Sequence, residues 1–306
     1  MHQSNWTADG ESHTTTDVSR RRVLTAVGVG GVVALAGCAG FGDTERETTD
    51  VQYDVSDDIG SVAINSDDGE TTVEPWDGED VRIEATKYAV GQTELSDIEV
   101  VREVTNGRLD ISEERSTGPI VGVGGGGLES ITVQLPPGVR VTELDVDDGD
   151  ATVTNVPGEL ALSIDDGDAE IGPLEGGLSV DGDDGDVTVD QVDRFSAELD
   201  DGAVTMNEPA TIGDVRVDDG DLDLSVDEVV DDSIVSADDG DVTVQLSSSL
   251  DATVVCTHND GTVQFDDDVF DEVESTGNEF RGHLGDGSDR LTVDVDDGRV
   301  SLEALS

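Results

Sequence analysis

The sequence predicts an all-β protein, a β-solenoid with coils of about 18 residues, on three observations. A short acidic motif centred on Asp-Gly recurs along the chain, as in LDVDDGDATV at 144–153. Apolar and polar residues alternate on both sides of each such glycine, which is the pattern of half-buried strands. Beyond the first 40 residues, no stretch has the apolar spacing of an amphipathic helix.

The composition is strongly acidic. The 306 residues include 74 acids and 15 bases, the formal net charge is −59, and Lys87 is the only lysine. This excess excludes nucleic-acid binding, because a phosphate backbone requires a basic surface. Disordered chains are also highly charged, but 34% of these residues are hydrophobic and most of them alternate with polar ones. We therefore expect a folded protein from a salt-accumulating halophile such as an archaeon, where salt screens the repulsion.

The first 37 residues have the organisation of a signal peptide. Arg20 and Arg21 precede an uncharged stretch at 23–36, which is shorter than the roughly 20 residues that span a bilayer. This order resembles a twin-arginine export signal. The sequence LAGC resembles a lipobox ending at Cys38, whose sulfur would receive a lipid. We therefore predict a mature protein that begins at Cys38, on the outer face of the cytoplasmic membrane, with a lipidated tether at 38–50.

Glycines at the Asp-Gly or Asn-Gly turns define the repeat. Their spacings are 18, 18, 17 and 18 residues, widening to 20 and 21, and a final gap of 37 has room for one degenerate coil. Asp-Gly suits a tight turn, since glycine tolerates positive φ and Asp bonds nearby backbone. The glycines are Gly149, Gly167, Gly185, Gly202, Gly220, Gly240, Gly261 and Gly298.

Alignment on these glycines brings apolar residues into columns. The column five residues before each glycine consists of Leu144, Leu162, Val180, Ala197, Val215, Val235, Cys256 and Val293. One coil cannot enclose a core, but stacked coils can. We predict solenoid repeats over 138–306, with a β-sandwich of hairpins as the alternative. Residues 51–137 are expected to form an irregular antiparallel β region that caps the first edge.

The stretch SITVQLPPGVRVTELDVDDGDATVTNVPGELALSIDDGDAEI resembles the putative-adhesin family of β-strand-repeat domains. The matching residues are Leu135, Pro136, Gly138, Gly149, Asp150, Val156 and Gly158. The resemblance covers roughly residues 60–306. It implies a surface β-solenoid without known catalytic residues, and an adhesin-like function for a family whose function is largely unknown.

The acids that follow the turn glycines could form a cation site. In a solenoid, neighbouring carboxylates would lie about 4.8 Å apart and repel by roughly 0.9 kcal/mol in water. Either bulk salt screens this repulsion or divalent ions bridge the turns. A calcium site would need six to eight oxygen ligands at defined distances. Salt screening is favoured, and divalent binding stays open. The acids are Asp150, Asp168, Asp186, Asp221 and Asp241.

Two arrangements could carry catalysis. Cys256 and His258 could form a nucleophile and base, but both fall in inward columns, so we expect Cys256 to be a buried small hydrophobe and His258 to need a hydrogen-bond partner. A carboxylate pair could cleave polysaccharide, but aromatic residues to hold sugar make up only 3% of the chain. We predict no catalytic residue, cofactor or metal site.

The predicted function is that of a non-enzymatic cell-surface lipoprotein, an adhesin-like display or binding module of the envelope. Its predicted partners are the membrane, through the lipid on Cys38, and an unknown envelope component or surface ligand. One alternative is a calcium-binding surface protein that uses the acidic turns. A polysaccharide-active enzyme ranks third.

Overall fold

The computed structural model describes residues 44–54, 59–116, 125–208, 210–230, 232–266 and 268–305. These residues form 26 strands and one 3-10 turn at Leu95–Asp97, without an α-helix. Within these ranges, no helix has the length and apolar character needed to cross a membrane. The predicted export signal, with Arg20, Arg21 and Cys38, lies outside the described residues.

The strands before the regular repeats are β1 (Thr44–Asp54), β2 (Ser61–Asp68), β3 (Glu70–Pro75), β4 (Asp80–Val90), β5 (Ile98–Thr105), β6 (Arg108–Arg115) and β7 (Gly125–Leu135). The regular repeats comprise β8 (Arg140–Asp148), β9 (Ala151–Val153), β10 (Val156–Pro157), β11 (Leu160–Asp166), β12 (Ala169–Ile171), β13 (Leu174–Asp184), β14 (Val187–Val189), β15 (Val192–Asp201), β16 (Val204–Met206), β17 (Ala210–Asp219), β18 (Leu222–Val229), β19 (Asp232–Asp239) and β20 (Val242–Leu246). The last strands are β21 (Ala252–His258), β22 (Thr262–Phe265), β23 (Glu272–Thr276), β24 (Glu279–Leu284), β25 (Asp289–Asp297) and β26 (Arg299–Ala304).

The regular repeats pair as a parallel solenoid with two main faces. Strands that lead into the turn glycines form the first face, in the order β8, β11, β13, β15, β17, β19. Strands that follow the glycines form the second face, in the order β9, β12, β14, β16, β18, β20. The β-solenoid prediction is confirmed. The sandwich of hairpins is wrong, because hairpins would pair successive strands antiparallel.

The predicted apolar columns form the core. In the column five residues before the turn glycine, each side chain from Leu144 to Cys256 is at most 5% exposed. One hydrophobic cluster runs from Ile59 to Leu302. Val263 and Phe265 are only partly buried, because their strand β22 pairs with β26 at the end of the stack.

The last coil does not follow chain order. Strand β25 pairs with both β19 and β21, and β26 pairs with both β20 and β22, so Asp289–Ala304 inserts between two earlier coils. The degenerate coil predicted between Gly261 and Gly298 is wrong. Part of that gap is a β23–β24 hairpin, which adds antiparallel to β21. Its residue Phe280 packs against Phe265 and Phe270, with ring centroids 4.5 and 5.2 Å away, and closes this end of the core.

The first coil is displaced in the same way. Strand β2 lies between β6 and β8, and β3 lies between β7 and β9, all parallel. The expected antiparallel pairing is present outside this coil, in β5–β6 and in β1–β4–β7. The second half of the sequence expected as a tether, Thr44–Asp50, belongs to β1. Ion pairs of Arg46 with Glu129 and of Arg82 with Asp50, both 2.6 Å, hold this strand in place.

Candidate functional site

Each coil passes from its first face to its second at a glycine, and these glycines stack directly on one another. Gly149, Gly167 and Gly185 have φ values of 144°, 138° and 143°, a region that side-chain-bearing residues disfavour. A Cβ atom on Gly185 would overlap the carbonyl oxygen of Gly167, and one on Gly167 would overlap that of Gly149. Backbone conformation and close approach therefore both require glycine, and the stack has no room for a ligand between its members.

The aspartate after each glycine has a structural role. Oδ1 of Asp150 accepts the backbone N–H of Asp168 at 3.2 Å, and Oδ1 of Asp168 accepts that of Asp186 at 3.1 Å. These corner N–H groups have no backbone acceptor within the described ranges, and an unpaired N–H would be costly wherever it is shielded from water. We call this series the Asp ladder. Its other bonds run from Ala203 N to Asp186, from Asp241 N to Asp221 and from Arg299 N to Asp241, at 3.0, 2.8 and 2.9 Å.

The acids before each glycine form further columns in which like charges face one another. Asp166 is in register with Asp148 on one side and Asp184 on the other. Partial desolvation and the charges of Asp148 and Asp184 raise the pKa of Asp166, and the pKa of Asp201 is raised by the same causes in the next coils. Asp166 and Asp201 therefore hold protons more readily in the folded state than in the unfolded chain.

The geometry explains the acidic corner without an ion. Three ladder acids, Asp150, Asp168 and Asp186, line an open groove of about 510 Å³ that also includes Glu70 and Glu170. Across the part of the chain that the structure describes, no three His, Cys, Asp or Glu side chains converge as metal ligands. Each ladder carboxylate named above already accepts a backbone N–H through one oxygen. Hydrogen bonding along the stack is thus sufficient reason for a side-chain acceptor at this position.

Cys256 is buried as predicted. Its side chain has no solvent exposure, and burial raises the pKa of its thiol to about 12. The reactive form of cysteine is the thiolate, so this group is not poised as a nucleophile at neutral pH. His258 is half-buried, and its Nδ1 has no hydrogen-bond partner within the described ranges, contrary to the expected need for one.

The one buried acid in the described ranges is Glu113, at the end of β6. Burial raises its pKa, and Arg115, whose Nε lies 2.8 Å from Oε1, opposes that effect. Arg115 also pairs with Asp68 at the end of β2. The cluster therefore ties the outermost coil to its neighbour. It does not match the two carboxylates flanking a sugar-binding cleft that glycoside hydrolysis uses.

The opposite corner of the first coils holds a groove that the sequence reasoning missed. This corner groove has a volume of about 320 Å³ and is mostly apolar. The signal was present in the sequence, since EPWD, LPPG and NVPG place proline at the same corner of three coils, but only the fold brings these segments together. The lining residues are Pro75, Trp76, Asp77, Leu135, Pro136, Pro137, Gly138, Val139, Asn155, Val156 and Pro157.

Comparisons with known proteins agree with this architecture. The chain is similar to a "putative adhesin" from Parabacteroides distasonis, with 13% identity and a TM-score of 0.51 over 84% of this chain and 97% of that chain. It is also similar to a "putative adhesin" from Bacteroides fragilis, with 11% identity and a TM-score of 0.46 over 84% and 97% of the two chains. No curated protein matches the sequence. The family model described as Toastrack DUF4097 matches residues 47–303, and the chain therefore belongs to that family.

Proposed function

We propose that this protein is an exported, lipid-anchored module of the cell surface that works by display and binding. The proposal rests on one observation: the polar and reactive side chains of the repeats contact other parts of the fold and are not arranged to act on a substrate. The ladder acids bond the backbone of the next coil, and Cys256 lies within the core. What the stack offers to other molecules is a long, rigid surface with grooves at its corners.

The fold supports the adhesin-like part of the proposal. Structures that share it carry the description "putative adhesin", and a parallel stack suits a role that needs extended reach and a stable contact surface. We place the protein on the outer face of the cytoplasmic membrane, because Arg20 and Arg21 begin an export signal and LAGC ends at a lipidation cysteine. The membrane, through the lipid on Cys38, is then its first partner, and an envelope component or surface ligand its second.

The acidity fits an environment of high salt. The columns of facing aspartates repel one another in dilute buffer, and a screening length of roughly 3 Å at about 1 M salt removes most of that cost. We propose that the protein belongs to a halophile, folds in the salt-rich cytoplasm and crosses the membrane already folded.

Lipidation is tested by exchanging each cysteine in turn. We expect Cys38→Ala to move the protein from the detergent phase to the aqueous phase when membranes of the producing cells are partitioned. Cys256→Ala is the matched control, because it removes the other cysteine, and it should stay with the membranes. Equal behaviour of the two variants would contradict a lipid on Cys38. The double variant Arg20→Lys, Arg21→Lys should leave the precursor inside the cell, because the paired arginines of the export signal are lost.

Binding is tested separately at native salt. Wild-type and Cys38→Ala proteins are purified from cells through the same affinity tag, and the co-purifying envelope components are compared. A binding module should retain a stoichiometric partner through the wash. Recovery of the protein alone from both preparations, under salt conditions that keep it folded, would argue against the binding role.

A further inference from the structure

The corner groove has the chemistry of a cation-binding site. No basic side chain lines it, and four of its eleven lining residues are prolines, which lack an N–H group. The backbone N–H of Trp76 is already bonded to Leu135 O at 3.1 Å, and that of Val139 to Pro136 O at 3.2 Å. The indole N–H of Trp76 donates to Asp80 O at 2.8 Å. These three N–H groups are therefore not available to a ligand.

Acceptors and an aromatic ring remain available to a ligand. Asp77 and Asn155 are exposed at the groove. Asp77 brings a carboxylate, and the Asn155 amide brings an acceptor oxygen together with an NH2 donor. Trp76 is half-buried, and Gly78 lies so close to its ring that a Cβ there would overlap it, so the indole is held in place. An indole ring attracts cations through its quadrupole. A fixed ring beside a carboxylate suits a guanidinium or ammonium group, which only donates.

We propose that the corner groove binds the arginine or lysine side chains of a basic peptide segment of a partner protein. This deepens the proposed function by naming a ligand class, and rests on it only for the role of binding. The charge of Asp77 and the ring of Trp76 favour a cationic group over a neutral sugar hydroxyl. The groove volume of about 320 Å³ lies at the lower end of the range for small-ligand sites, which suits one or two side chains.

Charge complementarity supports the same choice. The chain carries a formal net charge of −59, so its field attracts cationic partners and repels anionic ones over a long range at low salt. High salt removes most of that steering. The short-range contact with Trp76 and Asp77 is less screened and remains the source of selectivity. The prolines keep the groove in shape before the ligand arrives, which reduces the cost of ordering on binding.

The test uses Trp76 as its own reporter. Trp6 and Trp76 are the two tryptophans of the chain, and Trp6 lies in the predicted signal peptide. Trp6→Phe protein therefore has tryptophan fluorescence from the groove alone, whether or not that peptide is removed. It is titrated at fixed high ionic strength with the peptide acetyl-Gly-Arg-Pro-Arg-Gly-amide. The matched probe has citrulline in place of both arginines, which keeps the shape and removes the charge. We expect a saturable change with the arginine peptide and about tenfold weaker binding of the citrulline peptide.

Matched variants separate the groove from the general charge of the protein. Asp77→Asn should weaken arginine-peptide binding several-fold. Glu208→Gln removes an equal charge at an exposed residue of the same corner, three coils beyond Asn155, and should bind as wild type does. Thermal melting of each variant confirms that the fold is retained.

Three results would overturn the proposal. They are equal binding of the arginine and citrulline peptides, an equal loss in both variants, and a saturable response to cellohexaose with none to the arginine peptide. None of these results bears on the lipid anchor, which membrane partition tests independently.

Discussion

The two corners of each coil differ in how much their sequence and backbone geometry change from one coil to the next. At the glycine corner, Gly149, Gly167 and Gly185 repeat the same positive φ and the same contact with the preceding coil. At the opposite corner, the groove segments with Trp76 give way to Gly172-Pro173 and then to Asn207-Glu208. The invariant corner is fixed by stacking, whereas the variable corner is free to differ. Repetition therefore marks the architecture, and departure from it marks the surface where a ligand can be recognised.

The largest expected effect tests the glycine corner directly. Gly185→Ala should lower the free energy of unfolding by about 3 kcal/mol or more, because it places a Cβ against Gly167 O at φ 143°. The control is Gly213→Ala in β17, where a Cβ would make only ordinary contacts of 3.4 and 3.5 Å. Chemical denaturation at high salt measures both. A similar loss in the two variants would mean that the stack is not specially constrained.

A smaller effect is expected inside the irregular first coil. Thr71 follows Gly69 at a position that Ala151 occupies in the next coil, and its buried hydroxyl has no partner within the described ranges. Thr71→Val keeps the shape and should raise the free energy of unfolding by about 1 kcal/mol. Thr253→Val is the contrasting variant and should destabilise, since that hydroxyl lies 3.0 Å from His283 Nδ1. Stabilisation by both substitutions would contradict the assignment of partners.

These residues also show what the sequence could and could not predict. The alternation around each glycine was sufficient to place Leu144 and Cys256 in the core, because period-two patterning specifies which side chains point inward. It could not specify the order of coils at the two ends. Coils of equal length and pattern present nearly equivalent edges, so the insertion of Asp289–Ala304 depends on tertiary packing.

The corner groove could not be predicted from the sequence, for a related reason. Its walls come from three segments, around Trp76, Pro136 and Pro157, separated by more than a coil length in the chain. Each segment by itself is an ordinary proline turn. The Asp ladder was also missed, because the acids suggested charge rather than an acceptor for the N–H of the next coil.

Completing the Asp ladder at position 203 should raise the free energy of unfolding by a modest amount. Ala203 interrupts it, so the N–H of Asp221 lacks the carboxylate acceptor that Asp168 N–H has. Ala203→Asn supplies a neutral acceptor and should stabilise by about 0.5 kcal/mol at any salt concentration. Ala203→Asp should match it at high salt and fall behind it at low salt, because it adds a charge to the column. Identical salt dependence of the two variants would contradict this account.

The smallest expected effect is the response to pH. The pKa values of Asp166 and Asp201 are raised in the folded state by desolvation and by neighbouring aspartates. The folded state therefore binds more protons, so stability should rise as pH falls from 7 toward the unfolded value of about 3.9 and should be lost as pH rises through the folded pKa values. Melting at fixed high salt measures this. The double variant Asp166→Asn, Asp201→Asn should reduce the dependence of the melting temperature on pH. A melting temperature lower at pH 5 than at pH 7 in the wild type would contradict the predicted direction.

The central claim is that the acidic glycine corner is structural and requires salt rather than a specific ion. Its most direct test is the melting temperature of the full chain as calcium chloride replaces potassium chloride at constant ionic strength, with magnesium chloride in parallel. We predict that the melting temperature follows ionic strength alone and falls steeply as total salt is lowered. A saturable rise that calcium produces and magnesium does not would contradict the claim and establish a calcium site at the turns.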